Sequence, residues 1–265
     1  MPVFIAVLEG HGNLFYGFLL AFIGAYILVA GSSFVFLYKI RPLSIQHLKI
    51  QPELPSRKEV LHEIGWSSLT LLIWAIMAVI LIYCIDRGLT LMYFDIHAYG
   101  VVYFVLSIPF LIITHDAYFY WVHRLMHESD FAYTYIHRIH HASTNPTPFA
   151  IFSFGPIEAV IMGFYVYLVA FLVPLHIMAL VVLFVFDTTL NVMGHMGYEL
   201  IPKRITLSRI GQIFNTSIIH DLHHMHQHCN YSLYFRFWDT RMHTADSNND
   251  TVWQQFHERI ASRRH

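Results

Sequence analysis

The sequence predicts an all-α fold: a multi-pass transmembrane helical bundle with a cytoplasmic, histidine-rich cap. Three observations predict it. Long uncharged apolar stretches recur along the 265-residue chain, and charged residues make up 12% against 56% hydrophobic, about half the roughly 25% charged share of a soluble protein. The 20 histidines outnumber Lys and Arg together and fall mostly after His115. No Ser/Gly-rich linker, charge block or long-period repeat divides the chain. Residues 1–265 therefore read as a single integral membrane domain. A formal net charge of -1 lacks the footprint of a nucleic-acid binder, so no nucleic acid is expected as a partner. Cys84 and Cys229 lie in unlike contexts, one apolar and one His-rich, and read as free thiols.

The first span is "LFYGFLLAFIGAYILVAGSSFVFLY" (14–38), longer than the roughly 20 residues that cross a bilayer as a helix. "GWSSLTLLIWAIMAVILIYCI" (65–85) is the second. The third begins near Tyr99 and runs through "VVYFVLSIPFLIIT" towards His115, with Pro109 as a candidate kink. Between Gly155 and His195 a longer apolar stretch is interrupted by Pro174, which disfavours one continuous helix. It reads as a helical hairpin whose arms either cross or re-enter. Lys39, Arg41, Lys49, Arg57 and Lys58 crowd the loop between the first two spans, whereas the next loop has only Arg87. By the positive-inside rule the first loop is cytoplasmic. Three crossings then place the chain after about residue 115 on that side, together with the basic tail of Lys203, Arg204, Arg209, Arg236, Arg241, Arg259, Arg263 and Arg264.

Three histidine clusters follow. A helix continued through "HDAYFYWVHRLMH" puts His123 and His127 four apart on one face, with Asp116 and Tyr120 on the same stripe. "HRIHH" offers His137, His140 and His141 at i, i+3 and i+4, and "HDLHH" repeats the pattern with His220, His223 and His224. Each cluster is expected to present two or three imidazoles to one point. Imidazole suits Zn, Cu, Fe and Ni, and eight of them exceed the four of a structural zinc site, so two metal ions sharing a site are expected. His195, at the end of the second hairpin arm, is a ninth candidate, with Asn191 one turn before it. His115, His226 and His228 are left open. Scattered histidines such as His11, His47, His62, His97, His176, His243, His257 and His265 read as ordinary polar residues.

With these boxes in place the chain resembles the fatty acid hydroxylase superfamily, the membrane-bound group that includes sterol desaturases, sterol C4-methyl oxidases and sphingolipid hydroxylases. The resemblance covers residues 110–245, through "DAYFYWVHRLMH", "HRIHHASTNPTPFA" followed by "GPIEA", "GHMGYEL" and "HDLHHMHQHCNYSLYFRFWDT". It implies a fatty acid hydroxylase-like catalytic region over that range, a centre of two Fe ions, and O2 as co-substrate in the hydroxylation or desaturation of a fatty acyl, sterol or sphingolipid-like substrate. By position, His123, His127, His137, His140, His141, His220, His223 and His224 would be ligands, with His195 following them. Where the family often has "NYG" and "GT", this chain has Asn230-Tyr231-Ser232 and His243-Thr244, outside the boxes.

Around such a centre Asp116, Glu158 and Asp221 are candidates to accept imidazole N–H bonds, or in the case of Glu158 to contact substrate, although each is equally readable as a solvated or capping acid. The aromatic hairpin "FYVYLVAFLVPL" is a candidate lining for the lipid, although most of its residues read first as lipid-facing and helix-packing surface. A chain without a fused redox domain is expected to draw electrons from a separate ferredoxin- or cytochrome-type protein, docking near Lys203, Arg204 and Arg209. The expected location is a bacterial inner membrane or the endoplasmic reticulum, catalytic side cytoplasmic. The rival reading is a non-catalytic metal-binding membrane protein, a transporter or sensor, which would need ligands along a transmembrane path rather than beyond the span ends.

Overall fold

The computed structural model describes residues 2–206 and 208–262. Arg263, Arg264 and His265 lie outside the described residues, as does the side chain of His11. Helix α1 (Pro2–Tyr26) runs on to Ile40 through two π-helical turns, Ile27–Gly31 and Val35–Ile40. Helix α2 (Arg57–Asp86) starts at a capping box: Ser56 Oγ accepts the Glu59 amide at 3.2 Å, and the Glu59 carboxylate accepts the Ser56 amide at 2.6 Å. This satisfies two otherwise unpaired donors and fixes the helix start. Helix α3 (Val101–Glu128) passes through Pro109 unbroken and carries the chain well beyond His115. The hairpin is α4 (Pro156–Leu172) and α5 (Ile177–His195). Among the described residues, four helices are long and apolar enough to cross a membrane, Gly12–Ile40, Arg57–Asp86, Val101–Glu128 and Ile177–His195, while Pro156–Leu172 is a shorter apolar helix.

The hairpin reaches the far end of the bundle. Two-residue strands β1 (Met92–Tyr93) and β2 (Leu175–His176) pair in parallel, tying the turn between α4 and α5 to the α2–α3 loop. His176 caps α5 by accepting the Met178 amide at 3.2 Å and bonds Phe94 O at 2.9 Å, so its role is structural, as its isolation in the sequence suggested. At the opposite end the 41–56 segment joins the C-terminal region. Ile50 N donates to Gly197 O at 3.0 Å, Glu199 N donates to Leu48 O at 3.0 Å, and Arg259 holds the carbonyls of Lys49 and Ile50 at 2.6 and 2.9 Å. The Lys/Arg-rich first loop and the tail therefore share one end of the molecule, and the histidines sit there too.

Of the hydrophobic clusters among the described residues, one in the bundle and one in the cap bear most on the site. Within the bundle, Tyr26, Ala30, Leu71, Ile151, Phe152 and Met162 pack together, because the 3-10 turn Pro148–Phe152 inserts between helices. Its Phe149 carbonyl accepts hydrogen bonds from Tyr26 Oη at 2.9 Å and Ser67 Oγ at 2.8 Å. In the cap, α6 (Ser217–His226) buries Ile218 and Leu222 against Trp253, Phe256 and Ile260 of the final helix. Leu20, Leu28, Val102, Leu106, Ile113, Val185 and other large apolar side chains stay exposed on the helices' outer surface. Such a belt suits hydrocarbon rather than water.

Candidate metal centre

The eight box histidines and His195 form two adjoining groups. His123, His127, His137, His141 and His223 make one, His140, His195, His220 and His224 the other; all nine are buried, and within each group the ligand-type atoms lie within 4.8 Å of one another. The groups touch, with the His141 and His224 ring centroids 4.9 Å apart. Each H-x-x-H-H box presents two imidazoles to one group, as its spacing leads one to expect, and gives its third to the other. On α6, His220 and His224 face the second group and His223, rotated about the helix axis, the first. In the "HRIHH" box the reason is backbone geometry. The segment is no α-helix but a π-helical turn, Tyr133–His137, followed by a 3-10 turn, His140–Ala142, so His137 and His141 turn one way and His140 the other.

Tautomers follow from the hydrogen bonds. His123 Nδ1 lies 2.8 Å from Tyr231 O, His223 Nδ1 2.7 Å from Cys229 O, and His195 Nδ1 2.9 Å from Asn191 O. A carbonyl only accepts, so each Nδ1 carries the proton, and Nε2 of the neutral ring is a bare lone pair. These lone pairs point at one another: His123 Nε2 is 3.1 Å from His223 Nε2. Two lone pairs at that distance repel unless a cation lies between them. His137 joins them, its Nδ1 donating to Glu158 Oε1 at 2.6 Å and its Nε2 3.1 Å from His123 Nε2. In the second group His195 Nε2 meets Nε2 of His220 at 2.9 Å and of His224 at 3.3 Å. Four further ring nitrogens, Nδ1 of His127, His140, His141 and His224, are buried without a partner.

The protonation states agree with ligation. Burial, then neighbouring imidazoles, holds His137, His140, His141, His220 and His224 well below the ordinary histidine range, and burial lowers His223 to about 4. They stay neutral at pH 7 and keep lone pairs available, as metal binding requires. The all-imidazole donor set fits iron or another borderline divalent metal.

The other candidates fall into place one by one. Glu158, fully buried, is the carboxylate that holds His137. Asp116 instead accepts the amides of Tyr234 and Phe235 at 2.8 and 3.2 Å, and Tyr120, on the same stripe, bonds Thr244 Oγ1 at 2.9 Å. That face of α3 clasps the cap. Asp221 takes both its hydrogen bonds from Gln51 Nε2, at 3.1 and 3.2 Å, and so docks the first loop. Asn191 serves through its backbone carbonyl; its side chain donates to Asp187 at 2.8 Å. His115 is remote from both groups and bonds Tyr234 Oη at 2.8 Å, which in turn donates to Asp187 at 2.7 Å. Sequence reasoning missed Asp187, Tyr231 and the Cys229 carbonyl. An acid in an otherwise apolar arm could have flagged Asp187, but backbone acceptors leave no trace in residue types.

Of the cavities among the described residues, one borders this machinery and another lies within the bundle. One of about 120 Å³ borders His195 and His220 and is otherwise lined largely by apolar residues such as Leu190, Met193, Phe214 and Leu233. The other, of about 160 Å³, lies among α1, α2, α4 and α5, with Phe22, Trp74, Met162, Leu180 and Phe184 on its walls and His115 and Asp187 also lining it. The aromatic hairpin contributes Tyr165 and Tyr167 to the second cavity, while its Phe164, Phe171 and Leu172 face outward.

Comparison with known proteins gives the family. The fatty acid hydroxylase family model matches residues 108–244, more than half of the chain and all nine histidines. A Delta(7)-sterol 5(6)-desaturase of Leptosphaeria maculans is 33% identical over 153 residues, 58% of this chain and 40% of the relative. Human lathosterol oxidase is 29% identical over 185 residues, 69% of this chain and 60% of the relative. A Delta(7)-sterol 5(6)-desaturase of Aspergillus fumigatus is 28% identical over 215 residues, 81% of this chain and 59% of the relative. The matches thus span between about two-fifths and three-fifths of these relatives' lengths. No solved structure matches the chain. By the extent of the family match, with every box histidine inside it, the chain belongs to the fatty acid hydroxylase family.

Proposed function

We propose that this chain is an oxidoreductase that uses O2 to hydroxylate or desaturate a membrane lipid, a sterol or a comparable apolar molecule, at a pair of iron ions. The observation that carries the proposal is the convergence of forced Nε2 lone pairs in two touching groups of buried, neutral imidazoles. His123, His127, His137, His141 and His223 would hold one ion, and His140, His195, His220 and His224 the other. Bound there, the two irons supply the means to reduce O2 and to oxidise an unactivated C–H bond. The catalytic region is residues 110–245 within a single membrane domain.

The chain's own residues do the rest. Glu158 and the carbonyls of Tyr231, Cys229 and Asn191 fix four rings with Nε2 inward, which limits reorganisation when charge changes at the centre. The cavity beside His195 and His220 would admit an apolar segment of the lipid. Electron balance sets a further requirement. Reducing O2 to two waters takes four electrons, and desaturation withdraws two of them from the lipid, so a donor supplies two. Hydroxylation has the same external demand, with one oxygen entering the product and one leaving as water. The donor in this reading is a separate ferredoxin- or cytochrome-type protein, and the histidine end of the bundle faces the cytoplasm, in the endoplasmic reticulum or a bacterial inner membrane. The relatives named for sterol oxidation support a sterol as the first substrate to try.

The test is product analysis. Iron-loaded protein in detergent or vesicles, with O2, a reductase chain and a Delta(7)-sterol, is expected to convert the sterol to a species lacking two hydrogens or gaining one oxygen, read by mass spectrometry. Acyl and sphingoid lipids serve as parallel substrates. Full iron loading with no product from any of the three would reject the oxidative reading and favour a non-catalytic metal protein.

A further inference from the structure

Just past the second H-x-x-H-H box the chain carries a group of metal-type donors that the nine-histidine centre does not use. Helix α6 ends at Gln227, in the left-handed region at φ 63°, and Asn230 adopts the same region at φ 57°. Between these two positions the backbone reverses and brings Cys229 back beside His226. Asp246 arrives from a distant turn. His226 Nδ1 lies 2.7 Å from Asp246 Oδ2, and Cys229 Sγ lies 3.6 Å from the same oxygen. All three ligand-type atoms fall within 4.8 Å of one another.

The surrounding bonds hold the three donors in place. Asn230 N donates to Thr244 O at 2.8 Å, its Oδ1 accepts the Asp246 amide at 3.0 Å, and its side-chain amide pairs reciprocally with Asn249 at 3.0 Å. Asp246 Oδ1 accepts the Asn248 amide at 2.8 Å, which leaves Oδ2 towards the imidazole and the thiol. His226 is exposed and Asp246 and Cys229 are half-buried, so a solvated cation can enter and keep a water. Imidazole nitrogen, thiolate sulfur and carboxylate oxygen together suit a borderline divalent cation. Binding would displace the Cys229 thiol proton to solvent and move the His226 proton to Nε2.

We propose that His226, Cys229 and Asp246 form a third cation site, for a divalent ion of the zinc class, at the surface and distinct from the nine-histidine centre. The site borders that centre through one bond: the Cys229 carbonyl orients His223, so ligation of Cys229 steadies the acceptor on which one box histidine depends. The proposal does not rest on the oxidative reading, because its signature is sulfur ligation.

Cobalt(II) titration of the full-length protein in detergent tests it. Cobalt in an all-imidazole centre gives no sulfur-to-metal charge-transfer absorption, whereas a Cys229 thiolate ligand does. The expected result is a near-ultraviolet sulfur band that is lost in Cys229→Ser and kept in Cys84→Ser and in His140→Ala. Asp246→Asn, which preserves shape, is expected to raise the cobalt concentration at half-saturation of that band by about tenfold or more. No sulfur band at saturating cobalt, a band that survives Cys229→Ser, or an unchanged titration in Asp246→Asn would overturn the proposal.

Discussion

His137 shows at the smallest scale how the centre is set. Its ring is fully buried, one nitrogen donates to Glu158 at 2.6 Å, and the other is left to face His123. Removing the acceptor frees the ring to rotate and strands a buried N–H, a loss of roughly 1–3 kcal/mol. Glu158→Ala is therefore expected to weaken metal binding by about 10–100-fold, and Glu158→Gln, whose amide oxygen still accepts, by less. Metal competition against a chelator separates the two; equal affinity in Glu158→Ala and the parent would show that the carboxylate orients nothing. His223 sets a pH dependence. Burial lowers it from 6.5 to about 4, so between those values the unfolded chain binds the extra proton and the folded one does not. Folded stability contributed by this group is present above about pH 6.5 and is lost as pH falls towards 4. Both the unfolding temperature and the bound metal should fall through that window, measured by thermal scans and metal analysis on the same samples. A profile flat from neutrality to pH 4 contradicts the neutral-imidazole assignment.

At the scale of elements, short connections decide what the helices deliver. Gly197 follows α5 at φ 67°, a backbone state that side chains rarely adopt, and a Cβ there would collide with the Tyr38 hydroxyl and lie 3.3 Å from Pro146 O. Gly197→Ala is expected to cost roughly 1–3 kcal/mol, read as a lower unfolding temperature with loosened contact between the first loop and the cap; an unshifted transition would remove this constraint. Sequence reading reached the helices well, because uncharged runs over 14–38 and 65–85 have few alternatives to a bilayer helix. The four-residue spacing of His123 and His127 likewise marked how far α3 continues, and "GPIEA" pointed to Glu158. The division of each H-x-x-H-H box between two groups was not legible: it depends on a π-helical turn at Tyr133–His137 and on how α6 is rotated against α5. Asp116 and Asp221 stood close to box histidines in sequence, yet their carboxylates fasten the cap and the first loop. Proximity along the chain does not tell which way a side chain points once tertiary partners compete for it.

The whole molecule places an apolar belt around a bundle whose one end gathers the basic first loop, both H-x-x-H-H boxes and the C-terminal helix. Lys203, Arg204 and Arg209 are exposed at that end and form the proposed landing surface for an acidic electron donor. Reversing these three charges to Glu is expected to lower donor-driven turnover several-fold, more at low salt than at high salt, while leaving metal content unchanged; turnover equal to the parent at low salt would reject that surface. Above all, two adjoining histidine groups are proposed to hold two metal ions. Metal stoichiometry by mass spectrometry on iron-reconstituted protein tests it most directly, comparing the parent with a His220→Ala/His224→Ala variant that keeps the five-histidine group intact. The expected result is about two irons per chain in the parent and about one in the variant. A parent that takes up one iron or none after reconstitution, or a variant that still holds two, would contradict it.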